Sequence, residues 1–115
     1  MKVIYVAGRY RDSRGEFYVQ MNIRDAEAAA LWVWSWGGVA LCPHKNTAGF
    51  GGAYDLSDDV WLEGDLELLS RCDAMWVIGN NWEDSIGVNK EIDFAILHHI
   101  PIFYSHKEAA RFLGK

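Results

Sequence analysis

Val3-Ile4-Tyr5-Val6-Ala7-Gly8 is a run of mostly apolar residues stopped by a glycine. Because it does not alternate between apolar and polar, it predicts a strand covered on both faces, as in a parallel sheet. A polar loop, Arg9 to Glu16, follows it. Phe17 to Trp36 contains no glycine or proline, includes Ala26, Ala28, Ala29, Ala30 and Leu31, and predicts one long helix. Gly37-Gly38 would close that helix through a left-handed cap. Val39 to Cys42 predicts a second strand, stopped by Pro43. Pro43 to Asp55, rich in Gly and Asn and without periodicity, reads as loop. Ser57, with Asp58 and Asp59 behind it, predicts a helix start, and that helix runs to about Arg71. Ala74 to Ile78 predicts a third strand, Gly79 to Ser85 a loop, Gly87 to His99 a helix and Pro101 to Tyr104 a fourth strand. Ser105-His106-Lys107-Glu108 matches a capping box and opens a last helix through Phe112.

Strict alternation of strand and helix implies an α/β, Rossmann/flavodoxin-like three-layer fold. Its sheet is parallel, four- or five-stranded, with right-handed crossovers. The 115 residues fit a single domain, 1–115. Ligands in such folds sit beyond the carboxyl ends of the strands. That nominates the loops Gly8 to Glu16, Pro43 to Asp55 and Gly79 to Ser85, and the short one after Tyr104. With 11 basic and 16 acidic residues the net charge is −5, which argues against binding a nucleic acid polymer. The two cysteines, Cys42 and Cys72, form no motif and suit a reducing cytoplasm. No run reaches membrane-spanning length, and the start lacks the pattern of a signal peptide. Cys42, His44, Cys72, His98 and His99 lack the paired spacing of a zinc site, so no metal or cofactor is expected. Trp32, Trp34 and Trp36 cannot all face one core. At least one should face a loop or a second subunit, which suggests a homodimer or larger homo-oligomer.

Three constellations are candidates for chemistry. Asp84-Ser85-Ile86-Gly87-Val88-Asn89-Lys90-Glu91 lies at a strand-to-helix junction, where free N–H groups suit an anion. Glu91 follows one turn in, on the face of Val88 and Ala95. The pattern fits an anion seat with a buried carboxylate, and fits equally an N-cap serine with an ordinary helical glutamate. Asp65 lies among Trp61, Leu62, Leu66, Leu68 and Leu69. It either joins Glu91 as the second carboxylate of a glycosidic site or shares the solvent face of Asp58 and Glu67. Arg9, Arg11 and Arg14 follow the first strand, flanked by Gly8 and Gly15, and suit either a phosphate or surface ion pairs.

These same residues resemble the nucleoside 2-deoxyribosyltransferase superfamily, which includes 2′-deoxynucleoside 5′-phosphate N-hydrolases. Four stretches match in order over nearly the whole length. Ile4-Tyr5-Val6-Ala7-Gly8 resembles the family's first strand and glycine turn. Asp65, in Trp61-Leu62-Glu63-Gly64-Asp65-Leu66, matches its helical aspartate. Cys72-Asp73-Ala74-Met75-Trp76-Val77 resembles its aspartate-led third strand. Ser85-Ile86-Gly87 through Glu91, then Ala95 and Pro101-Ile102, resembles its nucleophile helix and the strand after it.

The resemblance implies an enzyme that cleaves the N-glycosidic bond of a (deoxy)nucleoside 5′-monophosphate through a covalent glycosyl-Glu91 intermediate. Asp65 would assist the departing base. Tyr5, Gly8, Arg9, Tyr10, Arg11, Asn46, Ser85 and Gly87 would bind the small-molecule nucleoside or nucleotide. Transferases of the family tend to carry aspartate where this chain has Ser85, and the phosphate-recognising hydrolases carry serine, hence the monophosphate. The chain departs from the family at Gly8-Arg9, where Gly-Pro or Gly-Ser is common. The alternatives are deoxyribosyl exchange between bases and a non-catalytic nucleotide-binding module.

Overall fold

The computed structural model describes residues 1–115. Four strands, β1 (Val3–Ala7), β2 (Val39–Leu41), β3 (Ala74–Val77) and β4 (Ile102–Phe103), pair in the order β2-β1-β3-β4. All neighbours are parallel, with Ile4 opposite Ala74, Ala7 opposite Val77, Val3 opposite Val39 and Met75 opposite Ile102. This is the flavodoxin-like arrangement expected, with four strands. Asp73 fixes where β3 meets β1: its carboxylate accepts the Val3 N–H at 2.7 Å, and its own N–H donates to the Val3 carbonyl at 2.8 Å.

The side-chain period of two splits the core into two layers. Ile4, Val6 and Trp76 pack with Ala26, Ala29, Ala30 and Val33 of α1 (Glu16–Ser35) and Ala109 of α5 (His106–Phe112). Tyr5, Ala7, Met75 and Val77 face the other way. They meet Leu69 of α3 (Asp58–Leu69) and Val88, Ile92 and Ala95 of α4 (Ile86–Leu97). α3 and α4 are neighbours on this second face. The odd-numbered residues of β1 therefore decide what lies beneath α4, and Tyr5 is one of them.

The helix ends follow their local chemistry. After α1, the Gly38 N–H reaches the Val33 carbonyl (3.0 Å) and the Gly37 N–H reaches that of Trp34 (3.1 Å). Gly37 holds φ 85°, so this is the expected left-handed cap. Ser105 accepts the Glu108 N–H at 3.1 Å, the first half of the expected capping box, while the Glu108 carboxylate reaches back to the Ser105 hydroxyl at 3.0 Å and the Tyr104 N–H at 3.4 Å instead of the Ser105 N–H. Ser57 begins α3 without a side-chain cap bond. The stretch expected to be loop throughout contains one helical turn, α2 (Pro43–Asn46), and a 3₁₀ turn at Ala53–Asp55. Pro43 sits in the first turn of α2, where its fixed φ helps and its missing N–H costs nothing. The glycines behind it hide so short an element from any periodicity argument.

Trp36 stacks on Trp76 with ring centres 6.1 Å apart, and Trp32 stacks on Trp36 at 5.7 Å. Trp32 and Trp34 remain about half exposed, so the three indoles do not all enter the core. No helix is long and apolar enough to cross a membrane.

α4 ends in the same left-handed cap as α1, but with His99 at the φ-positive position (58°). The Ile100 N–H reaches the Ala95 carbonyl at 2.8 Å and the His99 N–H reaches that of Ile96 at 3.2 Å. A side chain in this conformation costs about 1 kcal/mol. His99→Gly is expected to raise the melting temperature by roughly 4 °C, read by circular dichroism; a lower melting temperature would contradict this reading of the cap.

Candidate active site

The carboxyl ends of the strands open into a cleft, where ligands of such folds bind. β1 supplies Val6 and Ala7 to its floor, and the turn after it adds Gly8, Tyr10 and Arg11. α2 adds Pro43 and His44; α3 adds Asp58, Trp61, Leu62 and Asp65; the start of α4 adds Ser85, Gly87, Val88 and Glu91. Gly8 is required by close approach, since a Cβ there would lie 2.7 Å from Ile78 Cγ1.

Glu91 is 8% exposed, one turn into α4, between the buried Val88, Ile92 and Ala95. The fully buried Tyr5 rises from β1 and donates its hydroxyl to the Glu91 carboxylate. Burial, then the tyrosine bond working against it, then the charge of Asp65 set the Glu91 carboxyl, which is pushed up to about 7. Asp65, half-buried on α3, is pushed up to about 6 by burial. Asp65 and Glu91 therefore hold about one proton between them just below neutrality, and Glu91, with the higher value, carries it more often. The Tyr5 phenol is raised far above its ordinary value by burial and then by the charges of Glu91 and Asp65, so it stays a donor.

Ser85 is the N-cap of α4. Its oxygen accepts the Val88 N–H at 3.4 Å, which leaves its hydroxyl hydrogen free to donate. The Asn89 amide ties the loop before α4 in place, donating to the carbonyls of Ser85 (2.8 Å) and Glu83 (3.0 Å). A Cβ on Gly87 would meet nothing within 4 Å, so packing does not demand glycine there, although the residue lines the cleft.

The structure sorts the residues nominated from sequence. Glu91, Asp65, Gly8, Tyr10, Arg11, Ser85 and Gly87 line one cleft, with Tyr5 holding Glu91 from beneath. Arg9 does not line it. Its guanidinium bonds Asp84 and, at 3.2 Å, the Asn81 carbonyl, so it ties the first loop to the third. Arg14 turns outward and forks onto Asp12 at 2.9 and 2.8 Å, holding that carboxyl well below the usual range. Arg11 alone of the three reaches the cleft, where it pairs with Asp58 at 2.6 Å across the mouth. Asn46 is exposed on α2 and lies outside the lining; its neighbours His44 and Thr47 are in it. The loop after Tyr104 contributes nothing to the cleft.

Sequence reasoning missed His44 and Trp61 as cleft residues. His44 is buried, with Nε2 3.0 Å from the Arg9 carbonyl oxygen and its ring edge-on to Tyr10 at 5.5 Å.

In three dimensions the chain has the fold of a 2-deoxyribosyltransferase. It superposes on the enzyme of that name from the psychrotolerant bacterium Bacillus psychrosaccharolyticus with TM-score 0.62 and 18% identity, over 87% of this chain and 69% of that one. A conserved protein from Enterococcus faecalis V583 matches with TM-score 0.69 and 19% identity, over 89% of this chain and 61% of that one. This chain thus spans between three-fifths and seven-tenths of either. No curated protein sequence matches it. Residues 2–105 match the family described as a domain of unknown function (DUF7768), and the chain belongs to that family.

A carboxyl whose pKa is raised on folding stabilises the fold fully only below its unfolded value, near 4.5 for Glu91. That contribution is lost as pH rises through about 7. Glu91→Gln removes the buried charge and keeps an acceptor for Tyr5. It is expected to stabilise the fold by roughly 3 kcal/mol at pH 8 and by under about 1 kcal/mol at pH 5. Urea denaturation at the two pH values checks this; equal effects at both would contradict it.

Proposed function

We propose that the chain hydrolyses the N-glycosidic bond of a (deoxy)nucleoside 5′-monophosphate. The observation that carries this reading is the Glu91 carboxylate, held by Tyr5 in the cleft that Asp65 also lines. An ionised Glu91 oxygen attacks the anomeric carbon as the bond from that carbon to the base nitrogen breaks. The bond's electron pair leaves with the base, which takes the proton held by Asp65. Water then adds to the anomeric carbon, gives its proton to Asp65 and frees Glu91. The net change is one water consumed, with free base and sugar phosphate released. Tyr5 orients the attacking oxygen and limits its basicity.

The first turn of α4 supports a phosphate site. Its leading N–H groups have no partners within the helix, Ser85 has a hydrogen to donate, and the bare Gly87 admits an anion. Arg11 can exchange Asp58 for the phosphate. One observation favours a second reading, base exchange between uncharged nucleosides. The cleft holds three carboxyls, Asp58, Asp65 and Glu91, against one arginine, which is a poor surrounding for a dianion. A free base would then replace water as the acceptor of the sugar. In either case the half-exposed Trp32 and Trp34 supply a face on which a second copy would associate.

Chromatography of nucleosides and 5′-monophosphates incubated with the protein is expected to show base release at about pH 6 to 7. The reactive form, ionised Glu91 beside protonated Asp65, is the minority of the singly protonated pair; its population peaks between the two values, and the rate should fall on either side as the pair gains or loses a proton. Glu91→Gln should lower the rate by 10³-fold or more, on the order of 4 kcal/mol of barrier. Product that forms only with a second base present would establish exchange. No release from any compound would contradict both.

Gly87→Ala separates phosphate recognition from folding. It should raise stability by up to about 1 kcal/mol through helix propensity. It should lower kcat/KM for monophosphates roughly 10-fold, about 1.4 kcal/mol, while nucleosides are unaffected. Equal loss for both would remove α4 from phosphate binding.

A further inference from the structure

Two buried side-chain polar atoms have no hydrogen-bond partner, His44 Nδ1 and Trp61 Nε1. Both belong to residues lining the cleft of Glu91 and Asp65. Buried polar groups are normally paired, because leaving one unpaired opposes folding. Two in one cleft, from the separate helices α2 and α3, point to a partner that arrives from outside.

The chemistry of that partner follows from the protons. His44 Nε2 faces the Arg9 carbonyl oxygen, which can only accept, so Nε2 carries the hydrogen. Burial, first among the causes, also holds this imidazole below its ordinary pKa, so it stays neutral. Nδ1 is therefore a bare acceptor, and the Trp61 indole N–H is a donor only. The ligand must bring an N–H or NH₂ to the one and a lone pair to the other. A nucleobase presents both kinds of group along one planar edge.

The surroundings suit such a ring. Tyr10 packs edge-on against His44, and Phe50 meets Trp61 at 6.0 Å. The Tyr10 hydroxyl accepts the Gly49 N–H at 3.3 Å, so the loops carrying the two rings are joined. Gly49 and Gly52 take positive φ, and Gly51 lies between them. A base that parted the rings could stack on them while its edge met the two unpaired atoms.

We propose that His44 Nδ1 and Trp61 Nε1–H read the base of the substrate and set which bases are accepted. This rests on the glycosidase reading for the nature of the ligand, and its test needs no turnover. His44→Phe keeps a ring against Tyr10 and removes the Nδ1 acceptor together with the donor to the Arg9 carbonyl. Trp61→Phe keeps an aromatic ring and loses the N–H.

Binding of the four common 2′-deoxynucleoside 5′-monophosphates and of 2-deoxyribose 5-phosphate is measured calorimetrically on Glu91→Gln protein, alone and with either change. Thermal melts verify that each variant is folded, and Trp61→Phe, aromatic for aromatic, guards against loss of the fold at His44. Each change is expected to weaken the preferred nucleotide roughly 10-fold. Each should also narrow the spread of affinities among the four bases, with sugar phosphate binding kept within about twofold. An unchanged spread, equal weakening of the sugar phosphate, or no nucleotide binding at all would overturn the proposal. Base-dependent binding that obeys these expectations in a protein that releases no base would refute the glycosidase reading and leave the base-reading pair standing.

Discussion

The hydrogen bond from Tyr5 to Glu91 is the contact on which the rest of the site depends. A carboxyl buried beneath α4 is costly to ionise, and the fold reduces that cost with one donor from the central strand. The same bond fixes α4 over β1, so the start of α4 opens onto the end of β1 rather than onto solvent. Tyr5 can reach Glu91 because it has the parity of Ala7 and not that of Ile4 and Val6. A shift of one residue in the pairing of β1 with β3 would turn the phenol into the layer beneath α1. The Val3–Asp73 clamp at the start of those strands thus helps set the geometry of the candidate site, although it lies at the far end of the sheet.

The two faces of the sheet divide the work. Under α1 and α5 the packing is apolar and aromatic, with Trp36 and Trp76 stacked and no ionised group among the buried residues of that layer. Under α3 and α4 the layer admits Glu91, and Asp65 stands half-buried nearby. The apolar face supplies stability that the other face gives up. The result is a pair of carboxyls poised near neutral pH, which is what proton transfer to a leaving base and attack on a sugar both require.

The sheet was legible because β1 and β3 are apolar at nearly every position, and because glycine or proline punctuates the strand and helix ends at Gly8, Gly37 and Pro43. The pattern alone left Glu91 open between a buried carboxylate and an ordinary helical residue; the family resemblance singled it out, and the packing of α4 on the sheet is what buries it. Asp65 was ambiguous, because α3 carries acids all round and only the packing of α3 against α4 selects one. Arg9 misled for a different reason: a guanidinium beside a strand end suits a phosphate, but Asp84, distant in sequence, claims it. His44 and Trp61 left no local mark at all. Their importance lies in partners that are missing, and a missing partner can be recognised only once the neighbours are in place.

The central claim is that Glu91 attacks the sugar. The direct test is to incubate the protein with a 2′-deoxy-2′-fluoroarabinonucleoside 5′-monophosphate, whose fluorine slows the second step more than the first, and to map the digested protein by mass spectrometry. The expected result is one added fluorosugar phosphate on the peptide containing Glu91, absent in Glu91→Gln. Base release with no adduct under any condition, or an adduct on Asp65 instead, would contradict the assignment of Glu91 as nucleophile.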